Sequence, residues 1–87
     1  MEEEIKKEIL RDLVDSHRWN MHTEIRNLKK GLPLYLINTK AGKKAFEKAL
    51  KDLVNYGWLM AKKSTGETHV HLNNKFRKEI LGYIQKD

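Results

Sequence analysis

Apolar side chains recur at helical spacing in four stretches of the chain and alternate with polar ones in a fifth. From Asn38 to Trp58, at ~100° per residue, Gly42, Phe46, Ala49, Leu50 and Leu53 share one stripe, while Lys40, Lys44, Lys48 and Lys51 occupy the opposite side. The pattern predicts a helix over residues 39–56 with an apolar keel and a lysine ridge. Thr39, or Asn38 before it, offers an oxygen to cap the first turn, and Gly57 can take the left-handed conformation that ends the last. Ile5, Ile9 and Leu13, widened by Leu10 and Val14, predict a helix over 2–15, with glutamates in the first turn where they suit the helix dipole. Met21, Ile25, Leu28 and Leu32 predict another over 21–30, capped by Asn20 and closed by Lys29, Lys30 and Gly31. Phe76, Ile80 and Ile84, with Leu81 and Tyr83 beside them, predict a last helix over 74–85 capped by Asn73 or Asn74.

The alternating stretch is 58–72. With Thr65 and Gly66 as the central turn residues of a hairpin, Ser64 faces Glu67, Lys62 faces His69, Ala61 faces Val70 and Leu59 faces Leu72. This register puts Leu59, Ala61, Val70 and Leu72 on one face and Lys62, His69 and His71 on the other, with Lys62, Lys63, Ser64 and Thr65 near the tip. Between the second and third helices, GLPLYLI at 31–37 reads either as a short buried strand or as an apolar turn wedged between helices. Pro33 biases Leu32 away from helical angles, and four apolar residues are too few for periodicity to decide.

Eighty-seven residues suffice for one small domain that buries roughly 60–65% of its unfolded surface. The fold class expected is α+β, mainly helical: three helices, a two-stranded hairpin and a C-terminal helix. Without cysteine there is no disulfide, thiolate zinc site or thiol chemistry. No stretch of ~18 apolar residues occurs and the N-terminus is acidic, so the expectation is a cytoplasmic protein with no membrane partner.

Charge sharpens the picture. Residues 1–15 carry six acids against three bases, net −3, so of the formal +6 a charge of +9 is left for residues 16–87. A basic body behind an acidic first helix suggests a polyanion-binding surface with one face turned away from it.

Candidate chemistry is sparse. Ser16 beside His17, and Ser64 near His69, have neither an orienting acid nor a glycine-flanked elbow, and no phosphate loop or dinucleotide fingerprint is present, so no enzyme activity and no cofactor are expected. His69 and His71, at i and i+2 on one strand face, could reach one metal ion, with His17 and His22 as further donors. Lacking cysteine and a carboxylate at ligand spacing, they read as outward histidines, and no metal is expected. Gly42, Ala45 and Ala49 suit the keel of the 39–56 helix to close contact with another helix rather than to a membrane surface.

A helix ending KDLVNYGWL, a basic hairpin MAKKSTGETHVHLN and a helix starting NKFRKEI together resemble the second half of a winged helix-turn-helix domain, as in small archaeal and bacterial transcription regulators. The matching positions are Leu53, Gly57, Trp58, Leu59, Gly66 and Leu72. The resemblance implies double-stranded DNA as partner, with the 39–56 helix in the major groove and the 58–72 hairpin as the wing. The DNA-binding residues expected on this basis are Thr39, Lys40, Lys43, Lys44, Glu47, Lys48 and Lys51 on the helix. Lys62, Lys63, Ser64 and Thr65 follow on the wing, and Arg18, His22 and Thr23 at the start of the second helix. Lysine suits phosphate better than base edges, so the expectation is either modest specificity or specificity resting on DNA shape. The resemblance also admits a homodimer through the first and last helices. Protein–protein or RNA binding by the same kind of module is the alternative, and a histidine-based metal-responsive repressor a more distant one. The turn between the second and third helices, usually three or four residues, is longer here.

Overall fold

The computed structural model describes residues 1–19 and 21–86. Helix α1 (Glu2–Asp15) buries Ile5, Ile9, Leu10 and Leu13 almost completely, as its spacing predicts, and Val14 lies at the edge of the same core. Its main partner is α4 (Lys40–Asn55), whose keel of Gly42, Phe46, Ala49, Leu50 and Leu53 is also buried. Thr39 caps α4: its Oγ1 accepts the N–H of Gly42 at 2.9 Å. At the other end Gly57 adopts φ 84° and breaks the helix. A Cβ there would meet the ring of Phe76.

The hairpin forms in the expected register. Strands β2 (Leu59–Ser64) and β3 (Glu67–Leu72) are antiparallel, with Leu59 opposite Leu72, Ala61 opposite Val70, Lys62 opposite His69 and Ser64 opposite Glu67. Thr65 and Gly66 take φ 49° and 81°, the positive values that a two-residue turn matched to the strand twist requires. Leu59, Val70 and Leu72 close the core as expected, but Ala61 is exposed. That residue lies further out along the hairpin than Leu59, and burial along β2 ends with Leu59.

The region between α1 and α4 differs most from expectation. The second helix does not begin at Met21. Thr23–Glu24 form a third strand, β1, antiparallel to β3 with Thr23 opposite Val70 and Glu24 opposite His69, so the sheet order is β1-β3-β2. Helix α2 is therefore confined to Ile25–Lys30, and Met21, expected on its apolar stripe, is 60% exposed. Pairing with a strand distant in sequence satisfies the backbone of Thr23 and Glu24 better than an extra helical turn too short to be stable alone. The expected cap at Asn20 lies outside the described residues. Beyond Gly31, residues Leu34–Ile37 form a single helical turn, α3, introduced by Pro33, rather than a strand. Leu36 and Ile37 point into the core, while Leu34 and Tyr35 face solvent.

After β3, the side chain of Asn73 accepts the N–H of Lys75 at 3.1 Å and donates to the Gly57 carbonyl at 2.7 Å. A short 3-10 turn, Asn74–Phe76, leads from there into α5 (Arg77–Gln85). Helix α5 lies against α1 of the same chain: Lys7 donates to the carbonyl of Lys86 at 2.6 Å, Arg11 to that of Ile84 at 3.1 Å, and the Tyr83 hydroxyl bonds Glu3. Among the described residues the architecture is thus five α-helices and a three-stranded antiparallel sheet, α+β and mainly helical, and no helix is long and apolar enough to cross a membrane.

Candidate nucleic-acid interface

Every lysine of α4 is exposed. Among the described residues Lys40, Lys43, Lys44 and Lys51 make no ion pair, and Glu47 stands exposed beside them. Lys48 differs, because its ammonium lies 2.8 Å from Asp52 and its charge is partly spent on the protein itself. Thr39 is also exposed, with its oxygen engaged as the cap and its hydroxyl proton left to donate.

Asp52 belongs to a second network that holds α1 to α4. Lys6 is buried, 3.2 Å from Asp52, 3.4 Å from Glu3 and 3.7 Å from Glu2, and it donates to the Tyr56 hydroxyl at 3.1 Å. Burial alone would lower this lysine's pKa. Tyr56 and Asp52 outweigh that effect and raise its pKa, so it stays charged. The Lys48 ammonium above all, with Lys6 adding to it against the opposing effect of burial, holds Asp52 down at about 2. The network ties α1 to the C-terminal end of α4. Lys6 shares the buried side of α1 with Ile5 and Ile9, and nothing within its own helix marks it as a core residue.

The hairpin residues Lys62, Lys63, Ser64 and Thr65 are exposed at and near the tip, as expected. Arg18, His22 and Thr23 are not at the start of a helix, because β1 takes that place. Arg18 lies half-buried in the turn after α1, its carbonyl accepting the N–H of Leu72 at 2.8 Å, and Thr23 is half-buried opposite Val70. Of these three only His22 stands beside the hairpin lysines: it shares a shallow hollow with Lys62, Ser64 and His69, and its ring lies against that of His71, tilted by 32°, with centroids 4.6 Å apart. Its pKa is lowered, first by desolvation and then by the neighbouring His71, His69 and Lys62, so this imidazole adds no charge near neutral pH.

Among the described residues, His69 and His71 do not converge on one point with a third donor. The donor atoms that approach one another belong to Glu24, Glu67 and His69, mutually within 4.8 Å. Glu67 there is already bound by Arg26 at 2.8 Å, and Lys62 stands across the strand from His69.

Three cations escaped the sequence reading. Arg26, Lys29 and Lys30 of α2 line, together with Lys43 of α4, the groove between those helices and α3, so the basic surface spreads from α4 onto α2. Their spacing, i, i+3 and i+4, was a legible signal of a common helix face. Comparison of the chain with protein-family models, with curated proteins and with solved structures yields no match to any of them.

Proposed function

We propose that this chain is a winged helix-turn-helix protein that binds double-stranded DNA, acting as a transcription regulator, with α4 in the major groove and the β2–β3 hairpin as the wing. The observation that carries the reading is the placement of four exposed lysines with no ion pair among the described residues, Lys40, Lys43, Lys44 and Lys51, on a helix followed directly by a hairpin whose outer end bears Lys62 and Lys63. A major groove ~12 Å wide admits one helix, and cations on that helix and on the hairpin beside it would neutralise phosphates on either side. The α2 cations extend the same basic surface. On this reading Lys48, held by Asp52, contributes less than its neighbours, and Arg18 and Thr23 drop out of the contact set.

Titration of the protein at one salt concentration with duplex DNA, duplex RNA and single-stranded DNA tests the proposal. The duplex DNA is expected to bind tightest. Preference for either other form would point to A-form backbone or stacking recognition instead. A homodimer would have to use the faces of α1 and α5 left over from their contact with each other, and the solution mass at rising concentration decides whether one forms.

A further inference from the structure

The groove between α2, α3 and the start of α4 has a volume of about 340 Å³ and opens to solvent. Leu34, with an edge of the largely buried Ile37, supplies its apolar surface, Arg26, Lys29, Lys30 and Lys43 line it too, and among the described residues no carboxylate does. Leu34 is 71% exposed, so the single turn of α3 sets one large apolar side chain outward among these cations, while Tyr35 beside it does not line the groove and donates its hydroxyl to Glu4 of α1 at 3.2 Å. Single exposed apolar residues are ordinary, but one set in a groove bordered by cations from both α2 and α4 has the make-up of an interaction site. Two of the rim cations are occupied: Arg26 holds Glu67, and the Lys29 ammonium lies 5.2 Å from the centre of the Phe46 ring. Lys30 and Lys43 make no ion pair among the described residues.

We propose that this groove binds an acidic, amphipathic segment of a protein partner, whose apolar side chains cover Leu34 and Ile37 while its carboxylates meet Lys30 and Lys43. Charge complementarity selects an anionic occupant, and the apolar floor selects among anions. Phosphates would use the lysines and leave Leu34 facing water, whereas an acidic helix with apolar residues at i, i+3 and i+4 satisfies both parts of the surface. The inference goes beyond DNA binding: the groove shares Lys43 and the α2 cations with the basic surface proposed above, but the ligand is of a different class.

The probe is a fluorescein-labelled synthetic peptide of three Leu-Asp-Glu-Phe repeats, with a control in which serine replaces every leucine and phenylalanine. Anisotropy is read at about 150 mM salt, where exposed charges are screened beyond ~8 Å. The apolar peptide is expected to bind about tenfold tighter than the control, and Leu34→Ser and Lys30→Glu each to weaken it by about fivefold or more. Leu34 is exposed enough that Leu34→Ser keeps the fold, which circular dichroism checks. Equal binding of the two peptides, or indifference to Leu34→Ser, overturns the proposal. So does a loss of duplex DNA affinity in Leu34→Ser as large as the loss of peptide affinity, because the groove would then belong to the nucleic-acid face.

Discussion

Replacing Gly42 by alanine puts a single methyl group where two backbones meet. The added Cβ would sit 3.0 Å from the Ile37 Cα and closer still to the Leu36 carbonyl oxygen, both in the main chain of α3. A flexible side chain could swing aside from such a contact, but here α3 itself must move. Alanine favours an exposed helix interior over glycine by ~1 kcal/mol, so helix propensity alone predicts a gain. Overpacking a closed site costs ~1–3 kcal/mol, at the upper end when the obstacle is backbone. The balance is a net loss of about 2 kcal/mol, which for a chain of this size lowers the melting temperature by roughly 8–16 °C. Gly82 in α5 is the control, because a Cβ there meets nothing within 4 Å and Gly82→Ala should stabilise by ~0.5–1 kcal/mol. Thermal unfolding followed at the helical circular dichroism band reads both variants. A Gly42→Ala protein as stable as the parent, or more so, would refute the close approach of α3 to α4 and with it the shape of the basic groove.

Two further outcomes follow from the same structure. Thr65 holds φ 49°, a value that β-branched side chains rarely take, so Thr65→Asn should raise the urea midpoint by an amount equivalent to ~0.5–1 kcal/mol; a lowered midpoint would contradict the turn geometry. Asp52 has its pKa depressed from 3.8 to about 2, so the stability it supplies is complete above about pH 5 and is lost as pH falls toward 2. Asp52→Asn should therefore lie well below the parent in stability at pH 6 and converge on it near pH 2, and a constant difference across that range would show that the Lys6 and Lys48 pairs are not the cause.

How much of this was legible in the chain depends on how local the signal was. The span of α4 and the register of the hairpin are marked by neighbours: the keel spacing, the Thr39 cap, Gly57, the alternation on either side of Thr65 and Gly66. Strand β1 left no such mark, since its two residues are defined only by pairing with Val70 and His69 far along the chain. The same holds for Lys6, a charge on the apolar side of α1 whose burial makes sense only once Asp52 and Tyr56 of the α4 region are beside it. Within the candidate interface, the exposure of the α4 and hairpin lysines followed from periodicity. The Lys48–Asp52 pair was an i, i+4 contact within reach of sequence reasoning, whereas the displacement of Arg18 and Thr23 came from the unforeseen strand.

The most direct test of the central claim is the salt dependence of duplex DNA affinity, measured by anisotropy on the parent chain and on variants with Lys40, Lys44 and Lys51 changed to alanine in turn. With ~6 phosphates neutralised, affinity should fall about 10³-fold between 50 and 200 mM salt, and each alanine should reduce the slope of log K against log salt by about 1 without altering the circular dichroism spectrum. An affinity that changes less than about threefold over that range, or a slope that the three substitutions leave where it was, would mean that α4 does not face DNA.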